Sequence, residues 1–182
     1  LNLSDCHVWR VIFLFTFVLL QGCDMGDSIE KRKQVSAYLD GLRDRLRNNP
    51  NDADAFRQLE EAANSDDSFE RSRALGNLGD LGDLAVPALP TIQRALLSPD
   101  RYVRGSAASA ITALGPAAQP ATPELVTFLH RHVNEGGSRH VVKLLGIIGD
   151  PTPDVLNALK FASEAEDSYA KEEAKVVLEQ VQ

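Results

Sequence analysis

Cysteine is scarce in this chain, and both cysteines lie near its N-terminus. The 182 residues contain only Cys6 and Cys23. The sequence pattern described below predicts that residues 1–22 form a signal peptide, whose removal leaves Cys23 as the single cysteine. One cysteine cannot form an intramolecular disulfide, so packing has to hold the fold together.

Positive charge is in short supply. The chain has 19 lysine and arginine residues against 26 aspartate and glutamate residues, and its formal net charge is −7. Residues 135–182 alone contain nine acids and five bases. Nucleic-acid-binding proteins present a clustered basic face. The composition therefore predicts no nucleic-acid partner.

Motifs that carry catalysis or bind cofactors are lacking as well. The sequence contains no Gly-x-x-x-x-Gly-Lys, no Gly-x-Ser-x-Gly and no Cys-x-x-Cys. Beyond the N-terminal segment the histidines are His130, His132 and His140. Because residues two apart on a helix point in different directions, His130 and His132 cannot chelate one ion as an i, i+4 pair does. We predict no enzyme activity, no catalytic residue, no metal and no cofactor.

What the chain does contain is a pattern that recurs after 33 residues. When residues 67–97 are aligned with residues 100–130, acidic, basic, apolar, glycine and proline positions coincide. The matched pairs include Asp67/Asp100, Arg71/Arg104, Leu78/Ile111, Leu81/Leu114, Gly82/Gly115, Pro90/Pro123 and Leu96/Leu129. The pattern continues downstream with a shorter connector before Pro153, and a final half unit begins at Asp167. Such spacing is typical of solenoids, in which neighbouring units stack.

Each unit is predicted to contain two helices. In residues 101–114, apolar positions at three- and four-residue spacing form a stripe that one side of a helix can bury. Asp100 stands at the N-cap, and Gly115 follows the last apolar residue as a C-terminal cap requires. Pro123 suits the first turn of the second helix. We expect Leu114 to be buried between units.

The best-conforming unit resembles a known repeat family. The string Asp100-x-x-Val103-Arg104-x-x-Ala107-Ala108-x-Ala110-Ile111-x-x-Leu114-Gly115 resembles a HEAT repeat, of the short type also found in phycobilin lyase subunits. The resemblance covers residues 67–182 and is strongest at 100–130. It implies an all-α fold, a right-handed α-solenoid of antiparallel helix pairs.

In HEAT arrays, acidic and basic residues at these positions often form a ladder between neighbouring units. The resemblance implies the ladder residues Asp67 with Arg71, Asp100 with Arg104, and Asp167 with Lys171. The third unit has Asn134 in place of the aspartate, and Arg139 lies one position beyond the expected basic residue. We therefore expect the third unit to interrupt the ladder.

The resemblance also implies a partner-binding surface, because the second helices line the concave side of such arrays. Once the inward positions are removed, three rows of polar residues remain. They are Thr91, Arg94 and Ser98; Glu124, Thr127 and Arg131; and Asp154, Asn157 and Lys160. Mixed polar rows suit a protein or peptide better than a polyanion. The alternative is that they are only the solvated face of a helix layer.

The N-terminal segment carries a second pattern. Residues 11–20 are apolar apart from Thr16, and Leu20-Gln21-Gly22-Cys23 follows. About twenty apolar residues are needed to span a bilayer, whereas this shorter run suits the hydrophobic region of a secretory signal. The Leu-x-Gly-Cys ending resembles a bacterial lipobox, which implies cleavage after Gly22 and acylation of Cys23. An uncleaved membrane anchor is the alternative.

Two residues after the lipobox bear on location. Asp24 directly follows the cysteine and resembles the inner-membrane retention signal of enteric-type bacteria. The expected location is therefore the bacterial cell envelope, with a lipid anchor in a membrane. Met25 is the only methionine, and translation from it predicts a cytoplasmic protein without the anchor.

These patterns divide the chain into three parts. Residues 1–22 are the predicted signal peptide. Residues 23–64 are a short tether followed by a degenerate pair of capping helices, with helices expected at 29–47 and 52–63. Residues 65–182 are the HEAT-like repeats and a C-terminal capping helix.

The sequence leaves two hypotheses for function. In the first, the chain is a membrane-anchored scaffold or adaptor that binds a protein partner at the cell envelope. In the second, it is an accessory subunit of a lyase or other modifying enzyme, similar to phycobilin lyase subunits. The second needs a tetrapyrrole pocket lined with aromatic residues, which are few in this chain, so the scaffold is favoured.

Overall fold

The computed structural model describes the backbone of residues 5–135 and 137–181. Side chains are described at residue 26 and from residue 28 to 181, except at 136 and 168. Contacts divide the chain into two compact units, Leu1–Ala37 and Tyr38–Gln182. The predictions for Cys6, Cys23 and the apolar run fall on side chains outside these described residues.

Helices make up nearly all of the described backbone, in which no strand occurs. The α-helices are α1 (Asp5–Asn48), α2 (Ala53–Ala63), α3 (Ser68–Leu81), α4 (Leu89–Leu96), α5 (Arg101–Ala113), α6 (Thr122–His132), α7 (Ser138–Ile148), α8 (Pro153–Ser163) and α9 (Ser168–Val181). Two 3₁₀ helices, Gly82–Ala88 and Gly115–Ala121, join α3 to α4 and α5 to α6. The all-α prediction is confirmed.

The helix ends lie where the repeated residues predict them. The carboxylates of Asp67 and Asp100 accept hydrogen bonds from first-turn amides of α3 and α5, with Asp67 bonded to the amide of Glu70 at 2.9 Å. Gly82 and Gly115 have φ of +55° and +53°, which a glycine adopts at little cost when a helix ends. The capping residues therefore set the helix bounds locally.

The segment after Cys23 differs from the prediction. We expected a short tether there, but residues 23–28 belong to α1, which runs without a break from Asp5 to Asn48. The segment contains no proline, and the amides of consecutive residues can continue the helix. No described helix has the length and apolar character needed to cross a bilayer.

Within the unit Tyr38–Gln182, the helices form two rows. In one row α3 packs on α5, α5 on α7, and α7 on α9; in the other α2 contacts α4, α4 contacts α6, and α6 contacts α8. Further contacts, such as those of α4 with α5 and α8 with α9, join the rows. Within each row, every helix thus packs against the helix two places away along the chain. The core lies between the two rows.

The core consists mainly of leucine and alanine. Leu114 is 2% exposed, as predicted, and Phe128 is the largest fully buried side chain of the described residues. Small residues let helices of one row approach closely: a Cβ placed on Gly79 of α3 would lie 2.8 Å from the Cα of Ala110 in α5. This approach brings the polar side chains of neighbouring helices into contact.

Candidate partner-binding cleft

Polar side chains of neighbouring helices are bonded to each other at a recurring sequence separation. Arg73 donates to Asp40, Thr91 to Glu60, Gln93 to Glu124, Arg94 to Asn64, Arg104 to Glu135 and Arg139 to Glu173. The two partners lie 30 to 34 residues apart in each case. This separation equals one repeat, so these bonds join each helix to its counterpart in the adjacent unit. The bond of Asp40 extends the spacing into the predicted capping pair.

The predicted ladder residues are placed differently from the expectation. Asp67 and Asp100 cap their helices, and a hydrogen bond from Ser68, followed by the amide of Tyr102, lowers the pKa of Asp100 below its ordinary value. The charge of Arg71, from the unit before, contributes to the same pKa shift. Asp100 therefore interacts with the preceding unit.

The predicted ladder pair near the C-terminus, Asp167 with Lys171, forms different contacts. Asp167 accepts a hydrogen bond from the amide of Tyr169, and its own amide donates to Asn134 Oδ1 at 3.1 Å. No ion pair of Lys171 is found among the described residues, and the charge of this lysine lowers the pKa of Glu172 only as a minor cause, after Lys175. The third unit thus binds the fourth through Asn134 rather than through an aspartate.

The expectation that the third unit interrupts the ladder is wrong for Arg104. Its side chain is 7% exposed, and its Nη1 donates to the carbonyl oxygens of Ser98 and Pro99 at 2.7 and 2.9 Å. Its Nε donates to Glu135 Oε2 at 3.0 Å, and its Nη2 bonds the same oxygen. Glu135 follows Asn134 directly, so the acid is present one position later than the repeat predicts.

The second carboxylate oxygen of Glu135 is also occupied. His132 Nδ1 lies 3.0 Å from Oε1. Burial raises the pKa of Glu135, but the hydrogen bonds from Arg104 and His132, with their charges, outweigh it and hold the pKa below its ordinary value. Glu135 is therefore ionised at neutral pH with both oxygens bonded.

The loop before α7 lies close to α5. Gly137 has a φ of +110°, and a Cβ added there would lie 3.0 Å from the Cβ of Ala108. Behind the loop, Ser138 is fully buried, and its hydroxyl lies 2.7 Å from the carbonyl oxygen of His132. The glycine and the Arg104–Glu135 pair together hold residues 135 and 137 against α5.

A cleft of about 790 Å³ opens between this loop and α5. Its lining comprises Pro99, Arg101, Tyr102, Arg104, Gly105, Ser106, Ser109, Asn134, Glu135, Gly137 and His140. Tyr102 is 70% exposed, and the guanidinium carbon of Arg101 lies 5.3 Å from the centre of its ring. The position of Tyr102, two residues after a capping aspartate, is occupied by an aromatic residue in Phe69 and Tyr169 as well.

This recurrence of aromatic residues is a sequence signal for a surface at the start of the first helices. The surface predicted from the sequence lies on the second helices instead. Tyr169 is also 70% exposed, and the guanidinium carbon of Arg139 lies 6.0 Å from its ring centre. A second, smaller cleft next to it is lined by Arg139, Tyr169, Glu172, Glu173 and Val176. Exposed tyrosine–arginine contacts therefore recur at the N-terminal ends of first helices.

The predicted binding surface on the second helices requires a correction. Thr91 is 2% exposed and Ser98 is 8% exposed, so neither lies on an accessible face. The Thr91 hydroxyl donates to Glu60 Oε1 at 2.9 Å, which draws it against α2. Ser98 lies beside the buried Arg104, whose Nη1 donates to the Ser98 carbonyl oxygen.

The other seven residues of that surface are at least partly accessible. Arg94 donates to Asn64 and Thr91, Glu124 accepts from Gln93, and the Thr127 hydroxyl donates to the carbonyl of Pro123. Arg131, Asp154, Asn157 and Lys160 are exposed. The polar residues of α4, and two of the three on α6, are thus hydrogen-bonded within the protein. Those of α8 are exposed to solvent.

Two further observations concern chemistry and relatives. No cluster of three or more histidine, cysteine, aspartate or glutamate side chains suited to a metal occurs in the part of the chain whose side chains are described. Neither a protein-family model nor a curated protein matches the sequence.

Proposed function

We propose that this protein is a scaffold or adaptor that binds a protein partner at the bacterial cell envelope. The observation that carries the proposal is the contrast between the polar side chains that join neighbouring helices and those that line the cleft. Most polar side chains between helices are paired with each other, whereas the cleft beside α5 presents an exposed tyrosine, an arginine and two serines. Tyrosine and arginine are the residue types that contribute most to protein interfaces.

The proposed architecture is a right-handed α-solenoid of HEAT-like units. The two rows of helices support it, as do the side-chain bonds that recur at separations of 30 to 34 residues. In such an array each unit contacts only its neighbours, which leaves an extended surface for a partner.

The proposed anchor is a lipid on Cys23, and it rests on the sequence pattern Leu20-Gln21-Gly22-Cys23. Several acyl chains hold a protein at a membrane far more firmly than one. The test is to express the full chain with radiolabelled palmitate beside Cys23→Ala. We expect label and membrane association that depend on Cys23; unlabelled wild-type protein in the soluble fraction would overturn the anchor and favour translation from Met25.

Partner binding is tested by photo-cross-linking in the membrane. A photoreactive phenylalanine analogue replaces Ser109 in the cleft or Asn157 on the surface of α8. We expect one adduct of constant mass from position 109. An adduct from position 157 alone would assign binding to the second helices, and the absence of an adduct at both positions would contradict the scaffold proposal.

A further inference from the structure

The cleft beside α5 carries unpaired donors. Among the described residues Arg101 forms no ion pair, and its one described interaction is with the ring of Tyr102. The hydroxyls of Ser106 and Ser109 have no hydrogen-bond partner in the described residues, and the ring of His140 has none there either. A ligand that accepts hydrogen bonds therefore meets groups that need not first break a bond within the described part of the protein.

Negative charge in the cleft is already neutralised. Glu135 is the acid among the lining residues, and Arg104 and His132 occupy its two oxygens. Arg101 thus leaves the cleft with a positive charge on a protein whose formal net charge is −7. Charge complementarity favours an anionic ligand here, although the protein as a whole repels anions.

The donors are spread along α5. Arg101, Gly105 and Ser109 lie at four-residue intervals, and Tyr102 and Ser106 lie beside them on the same side of the helix. At about 1.5 Å per residue, Arg101 and Ser109 are about 12 Å apart along the axis. An extended peptide covers that length with about four residues. A small anion would instead need donors that converge on one point.

We propose that this cleft binds an acidic, extended peptide segment of the partner protein, with Arg101 pairing with a carboxylate and Tyr102 packing against the peptide. The inference rests on the proposed scaffold function and adds the chemistry of the partner. Gly105 leaves the middle of the helix face without a side chain, so a peptide backbone can approach the serine hydroxyls there.

The test uses the full chain in non-ionic detergent and a fluorescein-labelled decapeptide that alternates glutamate and glycine. Fluorescence anisotropy gives the Kd at low salt, and a decapeptide that alternates lysine and glycine is the charge control. We expect the glutamate peptide to bind, and binding to weaken as salt is added. Arg101→Ala and Tyr102→Ala should each raise the Kd about tenfold.

The charge-matched control is Lys31→Ala, which removes a positive charge from an exposed position on α1 that belongs neither to the cleft lining nor to the second helices. It should leave the Kd unchanged. An equal loss with Lys31→Ala, equal binding of the lysine peptide or no binding of the glutamate peptide would each overturn the proposal. Competition by free glutamate at the same carboxylate concentration would assign the cleft to a small anion, and a dimer in sedimentation that Tyr102→Ala dissociates would assign it to a second copy.

The outcomes separate this inference from the scaffold proposal. An adduct from position 109 with no affinity for the acidic peptide contradicts the partner chemistry and leaves the scaffold intact. Peptide binding without any adduct in the membrane contradicts the scaffold function, on which the inference rests.

Discussion

The second helices α2, α4 and α6 and the cleft beside α5 both present polar residues, but they differ in what those residues are bonded to. On the second helices, Thr91, Gln93 and Arg94 bond to residues of adjacent helices. In the cleft, Arg101 forms no ion pair among the described residues. Polar side chains that are paired internally stabilise the frame, whereas unpaired ones are available to a partner.

The boundary between these two regions is sharp at α5. Arg104 is buried, and all three of its guanidinium nitrogens donate hydrogen bonds. Arg101, about one turn earlier, is exposed. The difference lies in the loop before α7, whose Glu135 bonds to Arg104, whereas no ion pair of Arg101 is found among the described residues. Four substitutions test this comparison.

The largest expected effect is that of Arg104→Ala. It leaves Glu135 partly buried without its main partner and removes bonds to two carbonyl oxygens, so the free energy of unfolding should fall by about 3 kcal/mol. Urea unfolding measures it. Arg101→Ala is the control and should change the stability by less than about 0.5 kcal/mol. Similar losses for the two variants would show that the contrast between the arginines is false.

Gly137→Ala should follow, with a loss of about 2 kcal/mol. The alanine is strained at a φ of +110°, and its Cβ approaches Ala108 to 3.0 Å. Gly82→Ala is the control: its φ is +55°, and no atom lies within 4 Å of the added Cβ. It should lose only about 1 kcal/mol from backbone strain. If Gly137→Ala and Gly82→Ala lose the same stability in thermal or urea unfolding, the loop before α7 is not packed closely against α5.

Thr91→Val tests the paired surface of the second helices. It keeps the side-chain volume and removes the hydrogen bond to Glu60, so we expect a loss of about 1 kcal/mol. Thr127→Val removes a hydroxyl that bonds within its own helix, to the carbonyl of Pro123. This control should stay within about 0.5 kcal/mol of wild type. If both variants match wild type in urea unfolding, the bonds between second helices do not stabilise the frame.

The smallest expected effect is a pH dependence at Glu135. Its pKa in the folded protein is lower than in the unfolded chain, so its contribution to stability is present above the ordinary glutamate pKa of 4.5 and is lost as pH falls through the folded value. Because the Glu135 side chain is 36% exposed, the contribution should stay below about 1 kcal/mol. Wild type should therefore be more stable than Glu135→Gln at about pH 6, and this difference should shrink at about pH 3.5. A difference that grows in acid would mean that Glu135 is not ionised in the folded protein.

The sequence predicted the helices well, because helix ends depend on nearby residues. Asp100 caps α5, and Pro123 lies in the first turn of α6, as expected from their neighbours alone. Leu114 is buried because the apolar stripe on α5 leaves no other choice of face. The tether expected after Cys23 is instead part of α1, since residues 23–28 contain no proline to interrupt the helix.

The candidate site was predicted less well. Thr91 was expected to be exposed because it lies outside the apolar stripe of α4. It is buried, and Glu60, which is 31 residues earlier, accepts a hydrogen bond from its hydroxyl. The ladder was expected to stop at Asn134, but Glu135 in the next position reaches Arg104. Neither partner can be identified from the local pattern, because a shift of one residue in a loop leaves the repeat unchanged.

The sequence by itself determined the periodicity, the helix ends and the apolar face of each helix, since these depend on residues within one or two turns. Only the tertiary structure decided which polar side chains are paired and which remain available. Arg101 and Arg104 have the same charge and lie on the same helix, and the position of a loop that follows the next helix makes one a structural residue and the other a candidate for binding.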